Sequence, residues 1–78
     1  DFFRKEFRRK TGRSPKQYLL DLKLERSKEL LLYSNDRVES IAGRLGFNDG
    51  SHFAKFFRAR ERRGPLEFRA SRGERFQP

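Results

Sequence analysis

Residues 50–61 concentrate the side chains able to make directional polar contacts. On a helical wheel advancing about 100° per residue, with Phe53 at zero, Phe53, Phe56 and Phe57 cover one side. Ser51, Lys55, Arg58 and Arg62 fall on the opposite side, with His52 and Ala54 at its margins. Aromatics anchor one face, and hydroxyl and cationic donors occupy the other, so the chemistry on offer is recognition of acceptors and anions. It is not the chemistry of a reaction centre. The chain has no Cys, a single His, no glycine loop that would cradle phosphate, and no carboxylate pair set among hydrophobics. His52 alone cannot make a metal site. No cofactor is implied, and the chain does not read as an enzyme.

Composition narrows the partner. Twenty Lys and Arg against 11 Asp and Glu leave a net charge of +9. Such a chain should meet polyanions, nucleic acid before an anionic membrane surface. Charge alone is compatible with a solvated basic surface, so its arrangement has to decide. The longest apolar run, Leu30-Leu31-Leu32-Tyr33, is far short of the roughly 20 residues needed to cross a bilayer. There is no signal-peptide pattern, and the expected compartment is the cytoplasm. With 78 residues the chain is one small domain or part of one, and a domain of this size buries about 60% of what its unfolded form exposes. Although 40% of residues are charged and only 33% hydrophobic, the apolar residues are grouped and periodic, unlike those of disordered chains. Nine Phe supply the material for a thin helical core.

The elements that must position the polar face follow from Pro, Gly and periodicity. Residues 1–11 read as the end of a helix stopped by Gly12, within a first segment spanning 1–13. Ser14 and Pro15, as N-cap and first helical residue, start a long helix that runs to about Tyr33 within a segment spanning 14–34. Its apolar residues make two stripes, Leu20, Leu24 and Leu31 on one and Tyr18, Leu22 and Tyr33 on the other, with Leu19 and Leu30 nearby. That pattern predicts a connector held between two lobes. Asp36, with Glu39 three residues on, is expected to cap a short helix carrying Val38, Ile41, Ala42 and Leu45. Gly46 ends it with a residue free to take positive φ, and Asn48 or Asp49 caps the helix over 50–61. Pro65 opens a last turn through Phe68, and 70–78 reads as a loose tail.

Residues 1–19 and 51–69 form an internal repeat at an offset of 50. Phe3 matches Phe53, Lys5 matches Lys55, Phe7 matches Phe57, and Arg8 matches Arg58. Arg13, Pro15 and Tyr18 then match Arg63, Pro65 and Phe68. Seven identities or aromatic matches in register mean two copies of one device joined by the long helix. In the second copy, VESIAGRLGFNDGSHFAKFF has the order and spacing of a helix-turn-helix, whose second helix locks onto its support through the Phe face and enters the DNA major groove with the other.

IAGRLGFNDGSHFAKFFR followed by P-L-E-F-R resembles the C-terminal DNA-binding domain of AraC/XylS-type transcription regulators. That family carries I-A-x-x-x-G-F-x-x-x-S-x-F-x-R-x-F-K and then G-x-S-P-x-x-Y-R. FFRKEFRRKTGRSPKQYL is similar to the same motif in a first copy, and LKLERSKELLLYSND is similar to the family's linker helix. Lys23 stands there for the usual Arg and Ser27 for the usual Ala. The resemblance covers residues 1–69 and implies an all-α fold with two helix-turn-helix units, the second at 35–69. It implies double-stranded DNA as partner, read in successive major grooves about 34 Å apart. Gly50, Ser51, His52 and Lys55 of the second unit, and Asp1, Arg4 and Lys5 of the first, would contact bases. Lys55 is the best candidate for guanine. Arg8, Arg58, Arg62 and Arg63 would clamp phosphates. Activators of the family also touch RNA polymerase, and a sensor or dimerisation domain would lie outside this chain.

Three departures from the pattern stand out. The chain begins inside the first recognition helix, without Met, and so reads as cut from something longer, leaving Phe3 and Phe7 short of part of their packing. Arg62 stands where the family has Gly. Gly50 offers no side chain and weakens the first turn of its helix. A membrane-bound or protein-docking basic helix and an RNA-binding module are the competing readings. The first would show large apolar residues on an exposed face, and the second an aromatic platform on strands.

Overall fold

The computed structural model describes Lys5, residues 8–10 and residues 12–72, whose regular elements are all helices, with no strand among them. Four helices follow the N-terminal segment: α1 (Pro15–Tyr33), α2 (Val38–Arg44), α3 (Gly50–Glu61) and α4 (Pro65–Ala70). Asp1 to Arg4, Phe7 and the end of the chain from Gly73 lie outside the described residues.

Local chemistry sets each helix start. Ser14 caps α1: its hydroxyl accepts from the Gln17 amide at 3.2 Å, and the Gln17 side chain accepts from the Ser14 amide at 3.1 Å. Pro15 fits the first turn because its missing N–H would have had no partner there. Asp49 caps α3, its carboxylate accepting from the His52 amide at 2.8 Å. Gly46, at φ 86°, turns the chain between α2 and α3, as its freedom for positive φ predicts. The expected cap on α2 is different. Arg37 holds the N-cap position without a side-chain bond, and Asp36 pairs instead with Arg44 at 2.8 Å. Since α2 begins only at Val38, a carboxylate at 36 is too far back to reach its first amides.

Every helix contributes to one core. Leu30 and Leu31 from α1, Ile41 and Ala42 from α2, Phe53 and Phe57 from α3, and Phe68 from α4 are buried. The aromatic rings touch in a continuous line. Phe47, in the turn, lies 5.3 Å from Phe53 and 5.0 Å from Phe56, Phe53 lies 5.7 Å from Phe57, and Phe57 lies 5.3 Å from Phe68. Each such pair adds about 0.5–1.5 kcal/mol beyond the area it buries. The α2–α3 and α1–α4 pairs make the main helix contacts. Of the two stripes expected on α1, one is used: Leu24, Leu30 and Leu31 join the core, while Leu19, Leu22 and Tyr33 are exposed.

The segment after Phe68 is not loose throughout. Ser71 is buried and donates to the Phe68 carbonyl at 2.6 Å. Arg72 donates to the Ser34 carbonyl and to Asn35 Oδ1, both at 3.2 Å. Arg72 thereby closes over the C-terminal end of α1, where unpaired carbonyls attract donors.

Candidate nucleic-acid interface

The polar face of α3 forms where the wheel places it. Phe53 and Phe57 are fully buried, and Ser51, His52, Lys55, Arg58 and Arg62 are exposed. Ser51, Ala54, Lys55, Arg58 and Ala59 line a shallow groove along the outer side of the helix. The two alanines lie between longer donors and let a flat surface approach the helix closely. Ala54 was placed at the margin of this face from the sequence; Ala59 was not singled out, although its i+8 spacing from Ser51 carries the signal.

Each expected contact residue has a distinct setting. Lys55 has no partner among the described residues, so its ammonium is available to an incoming acceptor. The His52 ring sits edge-on to Phe47, with centroids 5.4 Å apart and planes at 83°, which orients the imidazole from beneath. Arg58 extends over the Gly64 backbone, where a Cβ would lie 3.1 Å from its Nη2. Arg62 closes α3 in the left-handed conformation, at φ 64°, donating its amide to the Arg58 carbonyl at 2.8 Å. Arg63 is half-buried with its guanidinium 5.1 Å from the Phe68 ring centroid. Arg60, which the wheel does not put on the polar face, lies 4.4 Å from the Phe56 ring and flanks it.

Gly50 is apart from the others. It is buried, and its amide donates to Glu39 Oε2 of α2 at 3.1 Å. A Cβ at this position would come within 2.8 Å of the Glu39 carboxyl carbon. Sequence reasoning gave Glu39 a capping role within its own helix; the carboxylate instead reaches across to α3.

In the first copy, Lys5 and Arg8 are helical and exposed, and Asp1 and Arg4 lie outside the described residues. The turn that follows is repeated in structure as well as in sequence. Gly12 and Arg62 both take positive φ, 76° and 64°, and each donates its amide four residues back, at 2.7 and 2.8 Å. Pro15 and Pro65 then start the next helix, with Gln17 and Glu67 closing on the amides of Ser14 and Gly64. Arg13 lies 5.5 Å from the Tyr18 ring, as Arg63 lies over Phe68.

Other cations are used within the fold. Lys28 pairs with Glu61 at 2.9 Å and Arg26 with Glu29 at 3.0 Å, and Arg13 pairs with Asp21. Arg69 donates to the carbonyls of Leu31 at 3.1 Å and Ser34 at 3.2 Å. Lys55 and Arg58 of α3 are not committed in this way. Among the described residues no group of His, Cys, Asp and Glu is arranged to hold a metal, and no helix is long and apolar enough to cross a membrane.

A support helix, a glycine turn and a second helix with a donor-rich outer face define a helix-turn-helix domain. A family model described as a helix-turn-helix domain matches residues 2–71. The chain belongs to the AraC/XylS-type helix-turn-helix family of DNA-binding transcription regulators. It is 37% identical over 68 residues to the HTH-type transcriptional activator RhaS of Escherichia coli, covering 87% of this chain and 24% of the relative, so it spans about a quarter of that protein's length. Among solved structures, it is similar to the DNA-binding domain of AdpA in complex with a target DNA, with TM-score 0.87, 32% identity, and 99% of this chain and 70% of that one covered. It is also similar to an AraC-type transcriptional regulator from Chromobacterium violaceum, with TM-score 0.83, 31% identity, and 91% and 63% covered.

Proposed function

We propose that this chain reads the major groove of double-stranded DNA with the outer face of α3, and that Ser51, His52 and Lys55 make its base contacts. The observation that carries this is the shallow, alanine-floored face on which Lys55 stands without a partner among the described residues. The 12-residue helix, about 10–12 Å across with its side chains, fits a groove about 12 Å wide. Lys55 suits the acceptor pair of guanine, O6 and N7. Arg58, Arg62 and Arg63 flank this face and would hold phosphates, which fixes orientation without reading sequence. Lys5 and Arg8 repeat the pattern, with Asp1 and Arg4, in a second reader one groove away. The 19 residues of α1 span roughly 28 Å, a spacing suited to that geometry.

The proposal extends to control of transcription in a bacterial cytoplasm. Activation, as in the name of the RhaS relatives, would add a contact with RNA polymerase; a sensing or dimerising domain would lie outside these residues. Selection from a random duplex pool at moderate salt tests the core of the reading. Enrichment of one half-site is the expected result, and a second box one helical turn away would show both readers at work. Absence of any binding to duplex overturns it.

A further inference from the structure

The amides at the start of a helix ordinarily attract anions, and α3 would be expected to offer them to a phosphate. Here two of them are taken. Asp49 accepts from His52 at 2.8 Å, and Glu39 accepts from Gly50 at 3.1 Å. Two carboxylates therefore sit at the end of the helix that leads into DNA, and each repels a phosphate brought near it. Asp49 is the expected cap. Glu39 comes from a different helix, and it occupies the space into which a side chain at position 50 would grow.

Glu39 is exposed, and the Gly50 bond uses Oε2 alone. Its other oxygen has no partner among the described residues. The residues at the N-terminal end of a recognition helix are the ones that meet base edges. An unpaired carboxylate oxygen there accepts from an amino group, and in the major groove the amino group that Asp and Glu characteristically accept from is cytosine N4. Resting on the DNA-reading proposal above, we infer that Glu39 is a specificity-determining residue. Delivered from the support helix into the space over Gly50, it selects a cytosine at the edge of the half-site and lowers affinity for every other duplex.

Glu39→Gln is the discriminating variant. A Gln oxygen still accepts from the Gly50 amide, so the helical circular dichroism and the melting transition should match the parent. The negative charge is gone, and the side chain can now both donate and accept, as adenine N6 and N7 require. Parent and variant are compared by selection from a random duplex pool, then titrated against the selected duplex and a scrambled duplex of equal length. The expected result is a shift from cytosine toward adenine at one edge position, worth roughly tenfold, together with tighter binding to the scrambled duplex. A residue that only props α3 would weaken both titrations and leave the preferred base alone. Glu39 is overturned as a specificity determinant if the variant selects the parent's motif with the parent's discrimination. If the parent selects no motif, the DNA-reading proposal itself fails and this inference fails with it.

Discussion

Arg69 Nε donates to the carbonyl of Leu31 at 3.1 Å, joining residues 38 positions apart. The same guanidinium reaches the Leu30 and Ser34 carbonyls at 3.4 and 3.2 Å. The last turn of α1 contains no basic residue of its own, so α4 supplies the positive charge that the exposed carbonyls attract. Arg69→Ala should destabilise the domain by about 2 kcal/mol, since charge-assisted hydrogen bonds contribute about 1.5–3 kcal/mol. Arg69→Lys should recover less than half, because one ammonium cannot reproduce the planar fork. Urea denaturation measures both, and a variant as stable as the parent would show that water serves these carbonyls equally well.

The Glu39–Gly50 contact should appear as coupling. In the parent, Gly50→Ala must push the carboxylate away and is expected to cost about 1 kcal/mol, despite the better helix propensity of Ala. In a Glu39→Ala background the same change should be neutral or stabilising. A double-mutant cycle by denaturation should give an interaction of about 1 kcal/mol or more, and additivity would mean that the two sites do not share this space.

Arg62 holds a backbone conformation that costs an L-residue roughly 1–2 kcal/mol and a glycine little. Arg62→Gly should raise stability by about 1 kcal/mol, or roughly 4–8 °C in Tm for a domain of this size. If Arg62 clamps a phosphate, the same variant binds all duplexes more weakly, and the slope of log affinity against log salt falls by about 0.9. Calorimetry and a salt titration read the two effects separately.

Lys55 and Arg58 lie three residues apart on one face and should fail differently. Lys55→Ala is expected to relax base preference at one or two positions by about 1–3 kcal/mol, with little change on unrelated duplexes. Arg58→Ala should weaken binding to every sequence alike and flatten the salt slope. Equal losses on all sequences for both variants would remove Lys55 from base reading.

Much of this was legible because it is local. Ser14 before Pro15, Gly46 at the corner and the Phe spacing of α3 each act within one or two turns, where residue type dictates geometry. The polar face of α3 follows from the same arithmetic. What escaped depended on groups distant in sequence. Glu39 and Gly50 are 11 positions apart, and nothing in either segment announces that a carboxylate will leave its own helix. Arg69 read as the end of the P-L-E-F-R motif and Arg72 as part of a loose tail, and only the packing of α4 on α1 shows the carbonyls they serve. Asp36 was read as a cap from its type and spacing, but α2 starts one turn position too late for it. Gly50, carried over as a base contact by its place in the motif, also donates its amide to a carboxylate of the neighbouring helix, a bond that its missing side chain permits.

The repeated turn gives α1 a role beyond joining. Gly12–Tyr18 and Arg62–Phe68 are the same corner made twice, and α1 lies within the 50-residue period that separates them. An α-helix is a screw, so its length sets an angle as well as a distance. One extra residue between Leu19 and Leu22, ahead of the first core residue Leu24, would turn everything after it by about 100° while moving it only about 1.5 Å. Seven extra residues would return the angle to within about 20° of its starting value, some 10.5 Å further along. The domain thus carries a built-in dial: single-residue insertions mis-aim one half against the other, and two-turn insertions change only the span.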